Sequence, residues 1–142
     1  MVAYKGEVNT AVDAGGVVNA VLNGLIDARV KVNVENYTIL GSELAASTIN
    51  IGANLPKGAV ILAIVLAVSA AQTAATFSVG DAGSATRYAS AHTGLQTAVV
   101  PVIIGGKNYV ITGTDDTEIV LTTGGATLTA GNLDAFILYA MD

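Results

Sequence analysis

Cysteine and tryptophan are absent from this 142-residue chain, histidine occurs once, proline twice, and charged residues make up only 12%. Without cysteine there is no disulfide and no thiolate metal site, and the redox compartment stays open. With His92 the sole imidazole, a Ser-His-Asp arrangement would rest on it alone, and no nucleophile elbow lies near it. The surrounding Ser90-Ala-His-Thr-Gly94 reads as a polar loop, where a hydrogen-bonded or solvent-facing histidine is a plainer role than a catalytic one. Long apolar runs are missing too. The longest, Ala59 to Val68, is ten residues against the ~20 a spanning helix needs, so it suits a buried strand. Glu7 and Asp13 interrupt the N-terminal stretch, and no signal peptide is expected. The six basic residues (Lys5, Arg29, Lys31, Lys57, Arg87 and Lys107) are scattered through a chain of net charge −5, which argues against nucleic acid as a partner. Neither a membrane nor a cofactor is implied.

What is present is aliphatic. Hydrophobic residues reach 52% and mean hydropathy is +0.61, yet the aromatics are only five tyrosines and two phenylalanines. A core of small side chains follows, together with apolar surface that partner subunits cover, since contiguous exposed apolar patches mark interaction sites. Homo-oligomerisation is therefore expected.

Strand signals run from Arg29 to the end. Val30, Val32 and Val34 alternate with polar residues, the mark of a half-buried strand, and Tyr37 and Ile39 continue out of phase. That change of parity predicts a β-bulge near Glu35-Asn36. Thr48 to Ile51 alternates, Ala59 to Val68 reads as a strand covered on both faces, and Thr76 to Val79 ends at the turn Gly80 to Gly83. Thr97 to Ile104 holds Pro101, which suits an edge or a bulge. Gly105-Gly106 then predicts a turn into Asn108 to Thr112, followed by strands at Thr117–Thr122, Ala126–Thr129 and Leu133–Met141. About eight strands spaced near ten residues apart predict an all-β antiparallel sandwich or barrel over residues 28–142. The inward phase would bury Val30, Val32, Val34, Ile49, Ile51, Phe77, Val79, Ile119, Leu121 and alternate residues of Ala59 to Val68.

Residues 1–27 stand apart as an N-terminal arm. Gly15-Gly16 weakens any helix there by about 1 kcal/mol per glycine. Val12, Val17, Val18, Val21, Leu22 and Leu25 are its candidate partner-binding anchors; the competing reading packs the arm on its own domain as an extra strand.

Other features have bland readings. Asp115, Asp116 and Glu118 form an acidic cluster without calcium-loop spacing, and aspartates in a hairpin are better read as turn residues. Asp81, in Val79-Gly-Asp-Ala-Gly83, reads the same way. The paired glycines lack the lysine and Ser/Thr of a phosphate loop and supply turns instead. Arg87-Tyr88 fits either an interface anchor or an ordinary strand start. No catalytic residue and no metal ligand is assigned.

Taken in order, Thr48-Ile-Asn-Ile, Leu55-Pro-Lys-Gly-Ala-Val-Ile-Leu62, Thr76-Phe-Ser-Val-Gly-Asp81 with Arg87-Tyr88, and Thr117-Glu-Ile-Val-Leu-Thr-Thr-Gly-Gly125 running to Phe136-Ile-Leu-Tyr139 resemble small structural proteins of tailed bacteriophages, the jelly-roll head decoration or cement proteins. The resemblance covers residues 37 to 142. It implies a two-sheet jelly roll that assembles on the virion surface, often as a trimer, and clamps neighbouring major capsid protein subunits after synthesis in the host cytoplasm. It supplies no residue-level motif for that contact. A tail or fibre module, or a carbohydrate-binding jelly roll, is the alternative, although few aromatics are available to stack on sugars. An enzyme is the least favoured class.

Overall fold

The computed structural model describes residues 29–96 and 101–141. They form eight strands: β1 (Arg29–Ile39), β2 (Thr48–Gly52), β3 (Val60–Val68), β4 (Thr76–Asp81), β5 (Ser84–His92), β6 (Val102–Val110), β7 (Ile119–Gly124) and β8 (Gly131–Met141). Sheet 1 has the order β1-β8-β3-β6 and sheet 2 the order β2-β7-β4-β5, with every pair antiparallel. The pairs β1·β8, β2·β7, β3·β6 and β4·β5 are successive rungs of one long hairpin rolled across two sheets. That is the jelly-roll topology, and it agrees with the expected all-β two-sheet sandwich. Residues 1–27, expected as an arm, lie outside the described residues.

The core sits between the sheets. Ile49 and Ile51 of β2, Phe77 and Val79 of β4, and Ile119 and Leu121 of β7 all point inward and are buried, as their alternation predicts. Ile61, Ile64, Leu66 and Val68 of β3 meet them from sheet 1 together with Leu133, Ala135 and Ile137 of β8. The inward phase of β3 changes at Leu62, where its register shifts against both neighbours between Ile61 and Ala63. Simple alternation from Ala59 to Val68 therefore holds only on either side of that bulge.

Several expectations need correction. The ladder of β1 against β8 runs unbroken from Arg29↔Met141 to Ile39↔Gly131, so no bulge interrupts it near Glu35-Asn36. One phase then governs the whole strand. Ile39 is buried at its end, and parity turns Asn33, Glu35 and Tyr37 the same way and sends Val30, Val32 and Val34 out, 63%, 51% and 58% exposed. Those three valines are not core. Polar residues facing inward are a common feature of edge strands, and here Asn33 Nδ2 donates to the Ala53 carbonyl at 3.3 Å.

Gly105-Gly106 is not a turn either. The pair lies within β6, where the strand bulges opposite Leu62 of β3 and carries Lys107 and Asn108 at positive φ. A Cβ on Gly106 would lie 2.2 Å from the Ile61 carbonyl oxygen, so close approach of two backbones is what requires glycine there. Residues 126–129 form loop, not strand. Leu128 is buried from that loop, and the Thr129 amide donates to Gln72 Oε1 at 2.7 Å. His92 ends strand β5 with its ring centroid 5.1 Å from that of Phe77.

A candidate assembly surface

The outward residues of sheet 1 follow from the strand registers. Val30, Ala140, Val60 and Val110 make one cross-strand row; Val32, Leu138, Ala63 and Gly105 make the next; Val34, Phe136, Val65 and Ile103 make the third. No charged or hydrogen-bonding side chain stands in these three rows. Leu62, 37% exposed at the β3 bulge, adds to them, and Ile103 and Val110 at the β6 edge are 73% and 50% exposed. The patch has a polar limit: the row beyond Val34 begins with Asn36 and Asp134, whose side chains are hydrogen-bonded to each other.

Sheet 2 presents the opposite chemistry. Its outward positions include Thr48 paired with Thr122, Asn50 paired with Val120, and Ser78 paired with Thr122. Hydroxyls and amides there can satisfy water. Fully burying a Val, Leu, Ile or Phe side chain is worth ~1.5–3 kcal/mol, so covering sheet 1 offers a driving force that sheet 2 lacks. β3 was expected to be covered on both faces; in this chain only its inner face is.

The Arg87-Tyr88 pair serves the chain's own interior. Tyr88 is buried, edge-on to Tyr109 with centroids 6.2 Å apart, and burial pushes its phenol pKa up. Arg87 donates from Nε and Nη2 to the Asp81 carboxylate at 2.5 and 3.1 Å, and its guanidinium lies 4.1 Å from the Tyr109 ring centroid. Asp81 also accepts the Ser84 amide at 2.9 Å, the turn role read for it from sequence.

The acidic cluster divides. Asp115 and Glu118 are exposed, whereas Asp116 is buried in the β6–β7 loop. Its Oδ2 accepts the Thr112 amide and the Thr112 hydroxyl, each at 2.7 Å, and the Tyr109 hydroxyl at 2.8 Å; Oδ1 accepts the Gly113 amide at 2.9 Å. Burial alone would raise the pKa of this carboxyl, but these bonds outweigh it and hold the group far below the ordinary aspartate range. Tyr109 in turn has its pKa raised, first by donating to Asp116. Since Tyr109 belongs to sheet 1 and Asp81 and Arg87 to sheet 2, this network ties the two sheets together at one end of the sandwich. It is a fastening for the fold. Glu43 does similar work at a turn: its carboxylate accepts the Leu40, Gly41 and Ser42 amides and the Tyr37 hydroxyl, and the Leu40 bond leads in lowering its pKa.

Val12, Val17, Val18, Val21, Leu22 and Leu25 lie outside the described residues. The outward rows of sheet 1 were not singled out from sequence. Their signal was the apolar residues at both parities of Ala59 to Val68 and of Phe136-Ile-Leu-Tyr139, a pattern that demands cover on two faces.

Solved structures that share this fold include components of two phage capsids. One, described as the Cyanophage Pam1 capsid asymmetric unit, superposes with a TM-score of 0.68 at 28% identity, covering 81% of this chain and 86% of the other. The second is described as the acidic stable capsid structure of Helicobacter pylori bacteriophage KHP30; it gives a TM-score of 0.57 at 15% identity over 79% and 87% of the two chains, a likeness of fold alone. No protein-family model matches the chain, and no curated protein does so significantly. By its jelly-roll fold and its likeness to a phage capsid component over most of both chains, this is a phage capsid-related protein with a virion structural role.

Proposed function

We propose that the chain decorates and stabilises a bacteriophage head by binding major capsid protein subunits, as a homo-oligomer that the resemblance to cement proteins makes a trimer. The observation that carries this reading is the outer face of sheet 1, three rows of apolar residues across four strands on a chain of capsid-related fold. A monomer would leave this face in water. In an assembled particle it is buried against neighbours, and the Thr- and Ser-bearing face of sheet 2 is left for solvent.

The test is reconstitution on heads of the parent phage purified without this protein. Binding is measured by sedimentation and by copy number per particle. Wild-type protein is expected to bind at hundreds of copies. Val32→Glu changes a side chain that is half exposed in the lone chain, so its stability should move by no more than about 0.5 kcal/mol. On the particle it places a carboxylate in an apolar interface and should weaken binding at least tenfold, a change of ~1.4 kcal/mol. Failure of the wild type to bind heads, or recovery at a few copies confined to the tail, overturns the reading in favour of a tail module. A second expectation concerns the arm: deleting residues 2–24 should leave the melting of the sandwich unchanged and lower head occupancy at a fixed concentration. Unchanged occupancy would remove the arm from cementing.

A further inference from the structure

We infer that the outer edge of β1 is the docking site for a second copy of the same chain, whose own β1 pairs with it antiparallel about a two-fold axis at Asn33. The inference rests on the reading above, that copies of the protein assemble, and names the strands that meet.

β1 is the one regular sheet edge among the described residues. The outer strands are β1 and β6 in sheet 1, and β2 and β5 in sheet 2. An edge presents a row of N–H and C=O groups that templates another strand, and shortness, bulges, proline or charge ordinarily blunt it. β2 has five residues and a register shift between Asn50 and Gly52. β5 meets β4 with two register shifts and holds Ala91 at positive φ. β6 follows Pro101 and bulges where Lys107 and Asn108 take positive φ. β1 has none of these interruptions. It runs for 11 residues without glycine, proline or a positive φ, in unbroken register with β8.

The charges on β1 select the partner. Lys31 and Glu35 on an edge ordinarily deter an added strand, but they have opposite signs and stand two residues either side of Asn33. A second β1 laid antiparallel, with Asn33 opposite Asn33, sets Lys31 of each copy against Glu35 of the other. Directly opposite side chains share a face with Cβ atoms ~4.5–5.5 Å apart, where unlike charges attract and like charges repel. Val32 of each copy faces Val34 of the other. The contact is isologous, as a two-fold interface must be. Nine residues of each strand, Arg29 to Tyr37, come into register, and such a ladder makes about nine backbone hydrogen bonds, close to the ~10 of a typical protein interface. Neighbouring registers match less well. With Val32 at the axis seven residues pair, and Glu35 meets Arg29 while Lys31 faces Asn33. With Val34 at the axis, Glu35 faces Asn33 and no unlike charges are opposed. An odd shift sets the outward valines against inward polar residues.

The pairing also joins the outer faces. The row of Val32, Leu138, Ala63 and Gly105 runs on into the row of Val34, Phe136, Val65 and Ile103 of the second copy. Eight strands then share one apolar surface. Being two-fold, the contact links a subunit of one proposed trimer to a subunit of the next.

The absence of cysteine allows the register to be read in the full-length protein. Val32→Cys and Val34→Cys, both at exposed positions, are prepared with different tags, mixed and oxidised. Opposite residues of antiparallel strands have Cα atoms ~4.5–5.5 Å apart, within disulfide reach, whereas two copies of Val32 are offset by two residues and lie beyond it. Disulfides between the two tags are expected to form at least about tenfold faster than in the control, Val32→Cys mixed with Thr86→Cys on β5, and than in either variant alone. Lys31→Glu in both preparations should slow linking at least about tenfold, because it sets like charges opposite each other twice, and adding Glu35→Lys should restore it. Linking no faster than the control overturns the inference, whether residues 1–27 of the same copy or a capsid subunit then covers the edge. Either cysteine variant linking mainly with itself, or linking indifferent to Lys31→Glu, overturns it as well. Head binding is scored separately on wild-type protein. Heads bound without the inter-chain link remove this inference alone, and the link without head binding removes the decoration reading alone.

Discussion

Asp116→Asn is expected to destabilise the folded chain by about 2–3 kcal/mol at neutral pH. The side chain is almost fully buried and four donors converge on its carboxylate. An amide can replace only one of the two acceptor oxygens. Turned one way, its NH2 group meets the Gly113 amide; turned the other, it meets the Thr112 amide. Either orientation leaves a buried donor facing a donor. Gly113 cannot easily move aside, because its φ of +88° fixes the tight turn that presents its N–H. The same group sets an acid limit. Its pKa is lower in the folded chain than the ordinary 3.8, so the unfolded chain binds the proton first. The stabilisation is full above the unfolded value and is lost as pH falls through it toward the folded one. Urea unfolding of the wild type should therefore weaken below about pH 5, and the Asn variant should show a shallower decline. A loss under 0.5 kcal/mol, or identical acid limbs, would mean that the four bonds do not hold the loop.

The sequence made the architecture legible because alternation and turn residues are local signals. Thr48 to Ile51, Thr76 to Val79 and Thr117 to Thr122 carry their facing in their own spelling. β1 misleads for a physical reason. Its valines alternate as a core strand's would, and the phase is decided elsewhere, by an unbroken ladder to β8 that turns Ile39 inward. When both faces of a sheet are to be buried, one against the second sheet and one against another subunit, alternation tells only that a face is apolar. It does not tell which. The glycine pair in β6 was equally opaque, since a turn and a close approach to Ile61 ask for the same residue.

The candidate surface was half legible. High apolar content and the two-parity runs in β3 and β8 called for partners, but the rows that compose the face come from four strands distant in sequence. Only the registers assemble them. Arg87 and Tyr88 show the converse: Tyr and Arg are common at interfaces, yet here a buried aspartate and a second tyrosine claim them within the fold. Asp116 gave no sign of its importance beside the exposed Asp115.

Phe77→Ala should cost about 3–5 kcal/mol, the largest loss expected of any single truncation considered, whereas Val32→Ala should cost less than 0.5 kcal/mol in the isolated chain. Phe77 is buried near the middle of sheet 2, opposite Thr123 on β7 and beside the His92 ring on β5. It already borders a small void of about 20 Å³ lined by Ile39, Leu95, Leu121 and Leu128. Removing the ring enlarges that void, and the two sheets, held apart by Ile49, Leu121 and Leu133, cannot close it. Val32 carries the same pattern of alternation in sequence but stands on the outer face, where truncation opens no cavity. Denaturant unfolding of the two variants at a concentration too low for assembly isolates the difference. Equal losses for both would place Val32 in the core and undo the assignment of the sheet 1 outer face. In the assembled state the order should narrow, because Val32 then gains a partner to lose while Phe77 loses nothing further.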